Sequence, residues 1–116
     1  MHELSIALRV IAIATEALPP DAPDLRVASI RLRIGRLTAV VPESLRLCFE
    51  VASRDTRVAG ATLDIAEVPI VVACRGCAAE TEQEDFPLVC GSCGSDAVDL
   101  VAGRELSVDA LEVADP

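Results

Sequence analysis

Two short cysteine pairs constrain this chain more than anything else in it. "CRGC" at 74–77 and "CGSC" at 90–93 make a C-x2-C-x12-C-x2-C pattern. A two-residue spacer lets both sulfurs of a pair converge on one ion, and Gly76, Gly91 and Gly94 permit the tight turns this needs. Two such knuckles offer four thiolates at the corners of a tetrahedron, the donor set of a closed structural zinc site. Cys74, Cys77, Cys90 and Cys93 are therefore the expected zinc ligands. Four protein ligands leave no open coordination position for catalysis. Four thiolates also hold iron, so a rubredoxin-like electron carrier is the competing reading. It is disfavoured because the module is a minor insert in a larger domain. The fifth cysteine, Cys48, falls on an apolar helical stripe and is expected to be a small buried hydrophobe.

Paired cysteines point to metal where thiols stay reduced, and the chain carries no convincing export or membrane segment. The apolar stretch "LSIALRVIAIATEAL" includes Arg9 and Glu16 and follows Glu3 rather than a basic segment. It is also shorter than the roughly 20 residues needed to span a bilayer. A cytoplasmic protein with no membrane association is expected. Nucleic acid is disfavoured too, because 19 acidic residues against 10 basic ones give a net charge of −9. That balance suits a protein that meets cations or basic surfaces. At 116 residues, 52% hydrophobic but 2% aromatic, Ala, Val, Leu and Ile must fill the core. No Trp or Tyr is available for stacking on bases or sugars.

Residues 4–18 read as a first helix. Leu4, Leu8, Ile11 and Leu18 share one stripe, with Ile6, Val10, Ile13 and Ala17 in a second beside it. A face this wide is expected to be covered by a sheet. "PPDAPD" at 19–24 stops the helix. A first strand follows in "RVASIRLRIG", where Ala28, Ile30, Leu32 and Ile34 alternate with Ser29, Arg31 and Arg33. "VPESLRLCFEVAS" is a second helix with Pro42 in its first turn and Val41, Leu45, Cys48, Phe49 and Ala52 at helical spacing. "ATLDIAEVPIVV" reads as a second strand with Pro69 at its edge or end, and "GRELSVDALEV" as a third through Leu106 and Val108. The expected fold class is α/β (α+β): a small three-stranded sheet with two helices, plus an inserted zinc-ribbon-like domain. Residues 1–70 with 99–116 form the expected larger domain, and 71–98 the inserted zinc domain.

The chain opens "MHELS", placing its one histidine at position 2. A chain end is a poor place for a structural histidine and a good one for a metal ligand. Met1 offers an α-amine, His2 an imidazole, and the amides between them can ligate once deprotonated. Nitrogen donors packed this closely favour a square plane, which suits Ni(II) and Cu(II) and serves zinc poorly. The first four N–H groups of a helix lack intrahelical acceptors, so deprotonating the amides of residues 2 and 3 breaks no helical hydrogen bond. The helix dipole opposes a cation there by about 0.3–1 kcal/mol, which the Glu3 carboxylate offsets.

With "MHELSIA" at the start, "RLRIGRLTAVVPESLRLCFE" in the middle, the four cysteines and "AGRELSV" near the end, the chain resembles the HypA/HybF family across essentially its whole length. These are hydrogenase maturation proteins that deliver nickel. The resemblance implies an α/β nickel-binding domain with a zinc domain inserted before the last strand. It implies nickel at His2, through imidazole and backbone nitrogen, with the Glu3 amide nitrogen and sometimes the Met1 amine. Zinc would sit on Cys74, Cys77, Cys90 and Cys93. It further implies a HypB-type GTPase partner and, as recipient, the precursor of the [NiFe]-hydrogenase large subunit; some members also assist urease maturation. Certain relatives carry histidines beside the zinc cysteines, tied to pH-dependent changes at that site. This chain has none there and resembles the all-cysteine members.

The reading is a nickel metallochaperone, with Ni(II) as cargo and Zn(II) as structural ion, rather than an enzyme. No Ser/His/Asp set, second histidine or phosphate loop is present for catalysis. The alternatives are a zinc-ribbon interaction module without a second metal and the rubredoxin-like carrier. The first leaves the opening three residues unexplained; the second requires a red, redox-active iron protein. The oligomeric state is left open by the sequence.

Overall fold

Helix α1 spans Glu3–Ala17, and its inward side is set by size as much as by hydrophobicity. Ile6, Ala7, Val10 and Ala14 are buried, and the two alanines let α2 (Pro42–Ala52) approach closely. Leu4, Leu8 and Ile13 instead face solvent, so the wide apolar face is buried only in part. From α2, Leu45 and Phe49 point inward; Val41 is exposed and Cys48 is half-buried rather than buried. Pro42 opens α2, where a missing N–H costs nothing. The computed structural model describes residues 2–114.

The proline-rich stretch after α1 is tied down by one side chain. The Arg57 guanidinium donates to the carbonyls of Ala22 and Leu25, and its own carbonyl accepts from Val27 N. Strand β1 (Arg26–Gly35) starts there, and its burial changes phase at the outset. Val27 is buried and Ala28 exposed, after which Ile30, Leu32 and Ile34 alternate inward as expected. The displacement of Ala28 follows from Val27 being the larger apolar group, with more to gain from burial.

The run at 61–72 is not one strand. It breaks at Pro69 into β2 (Thr62–Val68) and β3 (Ile70–Cys74), because proline lacks the N–H that would continue the ladder. Strands β4 (Glu80–Gln83), β5 (Val98–Ala102) and β6 (Leu106–Ala114) complete two three-stranded sheets, ordered β2-β1-β6 and β4-β3-β5. The first is the expected sheet; the second, built around the cysteines, adds two strands that were not expected, β4 and β5. The chain divides into two compact units. One comprises residues 2–33, 40–66 and 107–114, and the other residues 34–39 and 67–106.

In the first unit the core is Ile6, Val10, Leu18, Val27, Ile30, Leu32, Leu45, Phe49, Val58 and Leu63. Each such side chain contributes about 1.5–3 kcal/mol when fully buried. In the second, β3 is central and antiparallel to both neighbours, with Val72 opposite Thr81 of β4 and Leu100 of β5. Ile70, Val72 and Cys74 alternate inward.

Two glycines of this second unit explain the "RIG" and "AGRE" motifs. A Cβ on Gly35 would lie 2.1 Å from the Gly103 carbonyl oxygen. Backbone bonds use that closeness: Gly35 N to Glu105 O at 2.7 Å, and Leu37 N to Gly103 O at 2.8 Å. Gly103 adopts φ +125°, which side-chain-bearing residues avoid, and its N–H donates to Glu105 Oε1 at 2.8 Å.

Candidate metal centre

The first cysteine pair sits at the end of β3 and the second follows a loop after β4, and each pair is wrapped by its own backbone. Gly76 N and Cys77 N donate to Cys74 Sγ at 3.3 and 3.4 Å. Ser92 N and Cys93 N donate to Cys90 Sγ, both at 3.4 Å. The turns close alike, with Ala78 N on Cys74 O at 3.0 Å and Gly94 N on Cys90 O at 2.9 Å. Among the three glycines expected to shape these turns, only Gly94 takes positive φ, at +78°. In the first knuckle Ala78 occupies the equivalent left-handed position at φ 64°.

The knuckles bring all four sulfurs within 4.8 Å of one another. Cys74 Sγ lies 3.7 Å from Cys93 Sγ, and Cys77 Sγ 3.6 Å from Cys90 Sγ. Disulfide bonding needs about 2.05 Å, so these are free sulfurs. A tetrahedron with Zn–S of about 2.3 Å has edges of about 3.8 Å, close to these separations. The donor set therefore fits zinc, with Cys74 and Cys90 buried and Cys77 and Cys93 exposed.

Electrostatics prepare the set unequally. The Cys77 and Gly76 amides hold the Cys74 thiol below its ordinary range, and the Cys93 and Ser92 amides bring Cys90 down to about 6. On Cys77 the Ala79 amide pulls downward, but the Cys90 sulfur, some local desolvation and the other two sulfurs together push it up to about 11. Four adjacent thiols cannot all ionise without a cation among them. A bound divalent ion removes that repulsion and engages every sulfur.

His2 lies elsewhere in the fold, as the N-cap of α1, with Glu3 as the first helical residue. Its Nδ1 accepts from Leu4 N at 3.4 Å, and its carbonyl from Ile6 N at 3.2 Å. Sequence reasoning missed this capping role, although Nδ1 stands as many bonds from Cα as the side-chain oxygen of asparagine, a favoured cap. His2 is exposed and Glu3 half-buried; Met1 lies outside the described residues.

Among the described residues, two α-helices, two small sheets and one four-sulfur cluster define a small α+β protein whose cysteines could hold a metal ion. A family model described as "Hydrogenase/urease nickel incorporation, metallochaperone, hypA" matches residues 1–113. The chain is 48% identical over 116 residues to the hydrogenase maturation factor HypA of Desulfatibacillum aliphaticivorans, covering all of this chain and 89% of that one. It is 42% identical to HypA of Desulfosudis oleivorans, covering 97% and 98%. Its fold is similar to the solution structure of the Ni metallochaperone HypA from Helicobacter pylori, with TM-score 0.64 and 23% identity over the whole of both chains. A second solution structure, of a HypA protein, gives TM-score 0.69 at 24% identity, covering 98% and 97%.

The chain belongs to the HypA family. Members of that family are nickel-incorporation metallochaperones, not enzymes. No described helix is long and apolar enough to cross a membrane.

Proposed function

We propose that this chain loads Ni(II) at its N-terminus and passes it to the large-subunit precursor of a [NiFe]-hydrogenase, working with a HypB-type GTPase in the cytoplasm. His2 supplies imidazole and backbone nitrogen, Glu3 its amide nitrogen and Met1 its α-amine. The observation that carries this reading is the placement of His2 and Glu3 at a helix start. There the main-chain nitrogens have no intrahelical duty. The larger domain, 1–70 with 99–116, is the nickel-binding part, and 71–98 the zinc-binding insert.

Cys74, Cys77, Cys90 and Cys93 hold a resident Zn(II) that shapes the insert and supplies no reaction step. The near-tetrahedral sulfur separations support zinc, and the closed donor set argues against a working coordination position there. Nickel, by contrast, must be surrendered, and the exposure of His2 leaves one side open to an incoming acceptor.

Calorimetric nickel titration of the unmodified protein, of His2→Ala and of a form with two residues added before Met1 tests this. The expected outcome is strong nickel binding in the first alone, with zinc content equal in all three. Equal affinities would remove the N-terminal site. Because all ten basic residues are arginine, an amine-reactive label reports on the α-amine alone, and nickel should protect it.

A further inference from the structure

We infer that Thr81, on β4, is a positioning residue of the metal centre, its hydroxyl holding the second cysteine knuckle in the shape that ligates. The inference rests on the zinc reading for the identity of the ion, and on knuckle geometry for the residue.

The two knuckles match bond for bond except in one acceptor. The first cysteine of each donates its N–H to the carbonyl five residues on, Cys74 N to Ala79 O at 2.9 Å and Cys90 N to Ser95 O at 2.8 Å. The amides two and three residues after that cysteine reach its sulfur in both. The residue directly after it makes the bond that differs. Arg75 N donates to a backbone carbonyl, Ala97 O, at 2.9 Å. Gly91 N donates to a side chain, Thr81 Oγ1, also at 2.9 Å. Every residue carries a carbonyl, but the hydroxyl is there only because residue 81 is threonine.

The surroundings fit that role. Thr81 stands opposite Val72 in the β3–β4 ladder, and Val72 is fully buried, so the hydroxyl projects from a strand paired to the sheet's central strand. Gly91 does not take positive φ, and a turn conformation therefore does not explain its glycine. Close approach does: a Cβ there would lie 3.1 Å from Thr81 Cβ and 3.3 Å from its Oγ1. A Cβ on Gly76, in the first knuckle, would meet Cys74 Sγ at an ordinary 3.7 Å. Thr81 and Gly91 are thus fitted to each other. Two residues along β4, Gln83 shares the half-buried face of Thr81, while Glu80 and Glu82 take the exposed one. The Gln83 amide nitrogen donates to the carbonyls of Asp85 and Pro87, and its oxygen accepts from Val89 N at 3.1 Å, which secures the approach to Cys90. The inner face of β4 is given over to hydrogen bonds that serve the second knuckle, where a core strand would carry apolar groups.

Fixing Gly91 N sets the entry to the turn whose next two amides point at Cys90 Sγ. Outer partners that orient ligands contribute to metal retention without touching the ion. Without the hydroxyl, Gly91 N turns to water and the second knuckle loses this tie to the sheet, so its sulfurs leave the ion sooner.

The test follows zinc transfer from the full chain to a chromophoric chelator. Thr81→Val keeps the shape and removes the hydroxyl, Thr81→Ser keeps the hydroxyl, and Glu82→Thr is a control on the opposite face of the strand. Thr81→Val should release zinc about fivefold faster, the worth of one ordinary hydrogen bond. Thr81→Ser should stay near the wild type, and Glu82→Thr should match it. Cobalt in place of zinc reads ligand geometry: its thiolate absorption bands should shift in Thr81→Val and return in Thr81→Ser. Exchange of the Gly91 amide should quicken in Thr81→Val, with the Arg75 amide unmoved. Wild-type release and a wild-type cobalt spectrum in Thr81→Val would overturn the inference alone, leaving the zinc reading standing. Thr81→Ser releasing zinc as fast as Thr81→Val would overturn it too, because shape and not the hydroxyl would then matter. If Thr81→Val does not fold, the zinc-loaded wild type decides: a Gly91 amide exchanging as fast as an unstructured chain refutes the bond, and a slowed one supports it. A wild type that retains no zinc and takes no cobalt on its sulfurs would sink the zinc reading, and this inference with it.

Discussion

The four-cysteine cluster, which can hold a metal ion, and the start of α1, where we propose that nickel is loaded, are built on opposite terms. At the cluster, four backbone amides point at two sulfurs, and two knuckles repeat one hydrogen-bond pattern. Local backbone thus helps to draw the four sulfurs within 4.8 Å of one another. At the helix start, the exposed His2 is engaged by one long side-chain bond, Leu4 N to Nδ1 at 3.4 Å. Its donors are otherwise main-chain nitrogens that must be released from protons. A converged, half-buried sulfur set suits an ion that stays, whereas the exposed and lightly engaged His2 suits the proposed role of holding one that leaves.

The contrast breaks most directly by taking one resident ligand away. Structural zinc contributes about 10–16 kcal/mol in small zinc-folded peptides, so its loss is the largest effect available here. Cys74→Ala, or a strong chelator, should abolish zinc retention and collapse amide-exchange protection in β3, β4 and β5. Protection in α1 and α2 should persist. Uniform loss across both units would show that zinc supports the whole molecule and that the two units do not differ in dependence.

Gly35→Ala attacks the same unit without touching a sulfur. The new Cβ would sit 2.1 Å from a backbone oxygen, a separation that no flexible side chain can relieve. A destabilisation of about 2–4 kcal/mol is expected by urea unfolding, in the range of other severe backbone clashes. Zinc-loaded protein unfolding at the wild-type urea concentration would mean that the backbone here yields.

Histidine 2 separates capping from ligation. His2→Asn keeps a side-chain acceptor for Leu4 N and removes the imidazole; His2→Ala removes both. Nickel affinity should fall at least about tenfold in each, while thermal stability should drop only for alanine, by about 0.5–1 kcal/mol. Nickel should also shift the Leu4 amide resonance in the wild type, because Nδ1 cannot cap the helix and bind the ion together. An unmoved Leu4 signal on full loading would place nickel elsewhere.

Much of this was legible in the chain, and what was not has identifiable causes. The cysteine spacing located the cluster because two-residue knuckles depend on local backbone alone. Both helices fell within about two residues of their reading, which is the usual scatter at helix ends. The inward face of α1 was misjudged because hydrophobicity ranked leucines above Ala7 and Ala14, while helix packing selected the small residues. β4 was invisible because "ETEQ" carries no apolar alternation; it is a strand through its pairing with β3. At the N-terminus the histidine could be singled out, but its capping bond depends on how the helix begins.

Proton counting sharpens the contrast at finer scale. Cys90 titrates near 6 and Cys74 below its ordinary value, so near pH 7.5 part of the set is already ionised, whereas Cys77 at about 11 retains its proton. Zinc binding there should release fewer than four protons, measured by calorimetry in buffers of different ionisation enthalpy. The signs follow from the reference value of 9.0. The lowered Cys90 adds stability to the metal-free fold that is complete above 9.0 and lost as pH falls through about 6. The raised Cys77 adds stability that is complete below 9.0 and lost as pH rises through about 11. Zinc affinity should therefore fall more steeply with acidification below about 6, where Cys90 too must give up a proton. Release of a full set at neutral pH would mean the amides do not prepare the sulfurs.

The smallest expected effect compares the knuckles with each other. Gly94 and Ala78 hold equivalent left-handed positions at φ +78° and 64°, but only the glycine does so without a Cβ opposing it. The first knuckle therefore carries a strain that the second lacks. Ala78→Gly should stabilise the zinc-loaded protein by roughly 0.5–1 kcal/mol, the gain from relieving φ > 0 less the added freedom of the unfolded chain. Gly94→Ala should destabilise by a similar amount. A pair of variants that moved urea midpoints in the same direction would show that the two turns, alike in hydrogen bonding, are not alike in energy.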